Sequence, residues 1–386
     1  MIPYGRQEIT EEDIREVEKV LRSEYLTQGP TVPLFEKSIA EYCNSSHAVA
    51  VNSATSALHI SCLALGLGPG DNLWTSANTF IASSNCALYC GANIDFVDID
   101  PQTSNISIEA LSKKLSQAES NGKLPKILIP VHLAGQPCDM ISIKNLSKKY
   151  GFKIIEDASH AIGASYHGYK VGSCAYSDIT VFSFHPVKII TTGEGGMALT
   201  NDSKIAERLK RLRMHGITND KLIMADRPNN EIWNYQQIEL GFNYRMTDIQ
   251  AAIGLSQIKR LDQYIKSRHE IAKIYNKNLS HLPFLLPFEA PNTYSSYHLY
   301  PIRILENSHK KNQKDIYHKL LKLNVGVNIH YIPVHRHPYY EGMGFKENDF
   351  PQAEKFHREA ISLPIYPSLS IEEQLYVIDI LQSEFR

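Results

Sequence analysis

The run FSFHPVKIITTGEGG, residues 182–196, sets a single lysine between a β-like segment and a glycine-rich turn. Lys188 follows the apolar stretch Ile179–Phe184, and Gly193, Gly195 and Gly196 suit close backbone packing better than a solvated loop. Desolvation of a lysine there favours its neutral amine, which attacks carbonyl carbon. Upstream, a second apolar run, KIIED, ends on Asp157. In open α/β sheets ligands collect beyond the carboxyl ends of strands. A carboxylate at that edge can keep a pyridine nitrogen protonated, and one lysine can carry an aldehyde as a Schiff base. Together Lys188 and Asp157 point to pyridoxal 5'-phosphate (PLP) chemistry. Alone, Asp157 would suit a helix N-cap and Lys188 a surface turn.

Outward from this pair, strand and helix patterns alternate. Strands are expected at 47–51, 72–76, 94–97, 127–132, 153–156 and 179–184, with helices at 55–65, 80–89 and 140–150 between them. Such alternation implies a mostly parallel sheet covered on both faces. Ahead of it, Thr10 and Asp13 form a capping box for a helix running to about Ser23, and TQGP (27–30) begins a loop. After it come a helix around Ile205–Leu212 closed by Gly216, a polar irregular loop over 217–239, and one long helix from about Asp248 to Leu279. The remainder reads as a small α/β unit: strands near 299–304 and 326–330, a helix near 315–323 and two further helices. The expected division is a large domain over 1–250 and a smaller C-terminal domain over 251–386.

VNSATSAL (51–58) joins a strand to a helix, so the backbone N–H groups of Ala54 and Thr55 would meet a phosphate at a helix N-terminus. Ser53, Thr55 and Ser56 equally suit ordinary capping. Ser183 adds a hydroxyl five residues before Lys188. Phe80 is either a core ring or one that stacks on a cofactor, and His160 either stacks on the cofactor ring or bonds its 3-hydroxyl. HYIPVHRHPYY (330–340) reads as a substrate pocket in preference to a knot of core tyrosines. TTGEGG precedes a strand-like MALT, and LGLGPGD follows a helix, so neither has the context of a dinucleotide-binding loop.

Net charge is −1, which argues against nucleic-acid or anionic-membrane partners. No apolar run approaches the ~20 residues of a spanning helix, and MIPYGRQEITEEDI lacks a signal-peptide layout. The six cysteines form no CxxC pair, and the histidines form no HExxH, so no metal is expected. A reducing cytoplasm fits this cysteine usage.

The segments LTQGPTVPLFE, VNSATSALH, ANTFIASSNC, EDASHAIGA, FSFHPVKIITTGEGG, LGFNYRMTDIQAA and HYIPVHRHPYY, taken jointly, resemble the DegT/DnrJ/EryC1/StrS family of PLP-dependent sugar aminotransferases over essentially the whole chain. The resemblance implies fold type I: a large domain with a mostly parallel central sheet, a smaller C-terminal domain, and a homodimer with its active site at the subunit interface. It implies that Lys188 bears PLP and shuttles the proton. It implies that Asp157 binds the pyridine nitrogen, and that Ser183, Ala54 and Thr55 hold the phosphate with Asn243 of a second subunit. Tyr4, Tyr25, Leu26, Thr27, Gln28, His330, Tyr331, Ile332 and Pro333 are then candidates for a nucleotide-sugar pocket.

Within the family the chain is most similar to the pseudaminic acid branch. That branch moves the amino group of L-glutamate to C4 of a UDP-linked 4-keto-6-deoxy-N-acetyl sugar. Alternatives are a perosamine-type aminotransferase on another nucleotide sugar and a non-catalytic PLP-binding regulator. The dehydratase branch carries histidine at the Schiff-base position, where this chain has Lys188. Two departures stand out: Ala54 replaces the family's usual glycine, and the 217–239 loop is variable.

Overall fold

The structure is a computed structural model that describes residues 1–227, 234–305 and 311–385. Helices α1 (Glu11–Leu21) and α2 (Thr31–Cys43) lead into β1 (His47–Val51), α3 (Ala54–Ala64), β2 (Asn72–Ser76), α4 (Ala82–Tyr89), β3 (Asn93–Val97) and α5 (Ile108–Ser120). Then follow β4 (Ile127–Ile129), α6 (Met140–Tyr150) and β5 (Lys153–Asp157). A small ribbon, β6 (Ser165–Tyr166) and β7 (Tyr169–Lys170), precedes β8 (Ile179–Ser183), β9 (Gly196–Thr200) and α7 (Ser203–Leu212). Next are β10 (Ile217–Thr218), β11 (Gln236–Gln237), α8 (Asp248–Gln257) and α9 (Leu261–Leu279). The chain closes with β12 (Phe284–Leu285), β13 (Thr293–Tyr294), β14 (Tyr300–Ile304), α10 (Gln313–Lys322), α11 (Pro338–Glu341), α12 (Pro351–Glu359), β15 (Ala360–Leu363) and α13 (Ile371–Glu384).

The main sheet has strand order β1-β9-β8-β5-β4-β2-β3. Only β9 runs against its neighbours; the other six strands share one direction. Strands β4, β8 and β9 are buried at every residue, the pattern of a sheet covered on both faces. The shared direction brings the ends of β1, β5 and β8 to one edge, where Asp157 and Ser183 stand and α3 begins. A C-terminal sheet of β12, β14 and β15 has its own apolar core, built mostly from residues 271–381. Helix α9 feeds both cores: Leu261, Tyr264 and Ile265 pack into the first, and Ile271, Tyr275 and Leu279 into the second.

Four local expectations change. The segment after TQGP is helix α2, not loop; Val32, Phe35, Ile39 and Cys43 are its buried stripe. Its N-terminus has no side-chain cap of its own. The carboxylate of Asp248, fully buried and more than two hundred residues away, accepts the N–H groups of Gly29 (2.8 Å), Thr31 (2.8 Å) and Val32 (3.0 Å) instead. The long helix from Asp248 is interrupted by a 3-10 turn at Ile258–Arg260, where Arg260 reaches the buried Asp13 at 2.7 Å. Residues 326–330 form no strand; Asn328 makes one isolated bridge to Ser362. The 217–239 loop is closed at its base by β10 pairing antiparallel with β11, and its residues 228–233 lie outside the described residues.

Asp248→Ala would orphan three N–H groups at the start of α2. Unsatisfied buried donors cost about 1–3 kcal/mol each when nothing replaces the partner. With partial rescue by water, a loss of about 2–4 kcal/mol is expected, read as a lower urea midpoint. An unchanged midpoint would contradict this account of α2.

Candidate active site

The shared edge of β1, β5 and β8 opens into a cavity of about 790 Å³. Lys188, on the β8–β9 connection, lines it, as do Asp157, His160, Ser183, Ala54, Thr55, Phe80, Tyr4, His330 and Tyr331. Thus one cavity collects residues that are scattered over most of the chain. Asn243 is exposed and does not line it, nor do Tyr25, Leu26, Thr27, Gln28, Ile332 or Pro333; of these only Pro333 is buried.

Asp157 is buried at the end of β5 and its carboxylate is fixed from both sides. Ser83 Oγ donates to Oδ2 at 2.6 Å, and Ser159 donates to Oδ1 through N–H (3.1 Å) and Oγ (2.6 Å). The accessible part of Lys188 faces the cavity; the rest is enclosed by protein. Burial lowers its pKa to about 8, against the opposing pull of the Asp157 carboxylate.

At the start of α3 the capping is local and incomplete. Ser53 Oγ accepts from Ser56 N–H, and Ala57 N–H donates to Ser53 O. The amides of Ala54 and Thr55 remain as first-turn donors without an intrahelical acceptor. The backbone of Gly196 passes so close that a Cβ on it would lie 2.5 Å from Ala54 N. Gly193 has φ +80° with open space around it, so its role is conformational, not one of packing.

Three buried histidines around this cavity, His160, His298 and His330, are neutral. Ala134 N–H donates to His160 Nδ1 (3.2 Å), which leaves Nε2–H to donate to Tyr331 Oη (3.1 Å). Burial, then Lys188 and His330, hold the His160 pKa well below the usual imidazole value. Both its nitrogens are engaged, so its free resource is its ring face. His330 accepts from Asn328 Nδ2 at Nε2 (3.3 Å) and donates from Nδ1 to Ser362 Oγ (2.8 Å). Burial and Lys188 push its pKa down to about 3. Tyr4 stands 5.4 Å from the His330 ring and Phe80 6.0 Å from that of Tyr331, giving an aromatic wall.

These features fit PLP. They offer a desolvated lysine amine, a fixed carboxylate, two free amides beside a glycine-only approach, and a ring face. Among the described residues no cluster of His, Cys, Asp or Glu could hold a metal, and the six cysteines are free and buried. Sequence reasoning missed Asn52, Glu194, Gln250, His298 and Asn328 as lining residues. Asn52, Glu194 and Gln250 lie inside quoted motifs without having been singled out, whereas His298 and Asn328 lie in none and only the fold brings them here.

The chain matches the DegT/DnrJ/EryC1/StrS aminotransferase family over residues 7–382. It belongs to that family. It is 38% identical over 381 residues to the spore coat polysaccharide biosynthesis protein SpsC of Bacillus subtilis, covering 98% of this chain and 95% of that one. It is 36% identical over 384 residues to the UDP-4-amino-4,6-dideoxy-N-acetyl-β-L-altrosamine transaminase of Campylobacter jejuni, covering 99% and 97%. Among solved structures, PseC of Helicobacter pylori, an aminotransferase involved in pseudaminic acid biosynthesis, superposes with a TM-score of 0.89 at 31% identity, covering 100% of this chain and 99% of that one. The chain is therefore a PLP-dependent nucleotide-sugar aminotransferase of α/β fold type I. No helix among its described residues is long and apolar enough to cross a membrane.

A lysine with a pKa near 8 is half neutral at that pH, and more so above it. Reductive methylation of the cofactor-free protein is therefore expected to modify Lys188 with a rate midpoint near pH 8, while exposed lysines follow a midpoint near 10.5. Peptide mass spectrometry across pH checks this. A Lys188 profile that coincides with the surface lysines would refute the desolvated amine.

Proposed function

We propose that this enzyme transfers the amino group of L-glutamate to C4 of a UDP-linked 4-keto-6-deoxy-N-acetyl sugar, forming UDP-4-amino-4,6-dideoxy-N-acetyl-β-L-altrosamine. The observation that carries the reading is near-complete coverage, at 36% identity, of a relative bearing that product's name, joined to a lysine and a carboxylate in one cavity.

PLP, when bound, supplies an aldehyde that exchanges amino groups and a ring that takes up electrons from the reacting carbon. The protein's part is placement and proton handling. In this reading Asp157, oriented by Ser83 and Ser159, keeps the pyridine nitrogen protonated. Ala54 and Thr55 N–H and Ser183 Oγ hold the phosphate, and the His160 ring covers one face. Lys188 Nζ, half neutral at pH 8, accepts and returns the proton at the substrate carbon. Tyr4, Phe80, His330 and Tyr331 form the wall against which the nucleotide sugar lies. The exposed Tyr25–Gln28 turn and Ile332–Pro333 extend that pocket outward. Asn243, exposed and outside its own cavity, reaches the phosphate of a second subunit in a homodimer.

Assays with UDP- and GDP-linked 4-keto-6-deoxy sugars, L-glutamate as donor, test the substrate. A C4-amino product from the UDP-linked N-acetyl sugar alone is expected; preference for a GDP-linked sugar would overturn the reading. The shared site is tested by mixing subunits. Lys188→Ala and Asn243→Ala should each be impaired, yet the equimolar exchanged mixture regains roughly a quarter of wild-type activity, because half its dimers are mixed and each of those carries one intact site of two. No recovery after subunit exchange would place Asn243 outside the partner's site.

A further inference from the structure

His298 belongs to no motif, yet its ring centroid lies 4.4 Å from that of His160 with a 42° tilt. It is 4% exposed and lines the catalytic cavity. Its Nδ1 is buried without a hydrogen-bond partner. An orphaned buried nitrogen normally costs stability, so the ring is not there to satisfy a local polar network. What it gives its neighbour is a ring packed against it at a tilt.

The backbone around His298 is held rigidly. Arg268 of α9, almost fully buried, donates through one nitrogen to the carbonyls of Tyr297 (3.1 Å), His298 (3.1 Å) and Ile365 (3.0 Å). On the other side, Ser296 Oγ donates to His160 O (2.7 Å), Ser296 N–H to Gly135 O (3.1 Å) and Leu299 N–H to Ala134 O (3.3 Å). Ala134 is the residue whose N–H fixes His160 Nδ1. The segment 296–299, which leads into the C-terminal sheet, thus grips the backbone, the ring nitrogen support and the ring face of His160 together.

We propose that His298 is a positioning residue: its ring, carried by the segment that enters the C-terminal sheet, holds the His160 ring in its place against the cofactor. The inference rests on His160 lying over the cofactor ring. Burial, followed by His160, Lys188, Arg268 and His330, keeps His298 uncharged, so it braces its neighbour without placing a cation beside Lys188.

The test uses the PLP-loaded enzyme and reads the visible circular dichroism of the bound cofactor, together with the rate at which L-glutamate bleaches its band. His298→Leu fills the space without a planar ring. It is expected to weaken the dichroic band at least about twofold and slow the saturated bleaching rate about tenfold, with half-saturation by L-glutamate changed less than about threefold. His298→Phe, which restores a ring, should recover most of both signals. Wild-type behaviour of His298→Leu overturns the proposal. So does equal impairment of the Leu and Phe variants, since that would make a ring nitrogen the essential part. Should the Leu variant fail to fold, His298→Gln takes its place with the same outcomes. His160→Ala forms a separate arm: an unchanged dichroic band there would sink the placement of His160 itself, whatever His298 does.

Discussion

The site depends on one close approach of backbone to backbone. Gly196, the first residue of the reversed strand β9, pairs with both Val51 of β1 and Ser183 of β8. A side chain there would drive into the Ser53–Ala54 peptide. Because Gly196 has none, the turn that opens α3 can lie directly on the start of β9. The connection that carries Lys188 is then pinned between Ser183 and Gly196, at the edge where Asp157 ends its strand. Amine, carboxylate and free amides share one cavity for this reason.

That geometry brings an electrostatic constraint. A lysine enclosed beside three histidines would meet strong repulsion if all were charged. The structure avoids this by engaging the imidazoles of His160 and His330 as neutral rings and by desolvating Lys188. Asp157 is stabilised instead by hydroxyl and amide donors, which carry no net charge.

Much of this was legible in the chain. Strand–helix alternation marked the parallel sheet, and β2 and α6 fall where expected. Helix α2 was obscured by the turn before it and by a cap that comes from Asp248. The single helix expected after Asp248 is two, since its apolar spacing continues across a 3-10 turn. Residues 326–330 look like a strand by composition but lack a neighbour to pair with beyond one bridge.

The sequence by itself determined the fold class and the family, and it singled out Lys188 and Asp157, which the structure sets in one cavity, because local pattern and residue type suffice for these. Only the tertiary structure decided that His298 and Asn328, which lie in none of the motifs, complete the cavity. It likewise decided that both nitrogens of His160 are engaged, so that only its ring is left to meet a ligand in the cavity. Such roles arise from contacts between segments far apart in the chain, and a contact of that kind leaves no periodicity and no motif at either end.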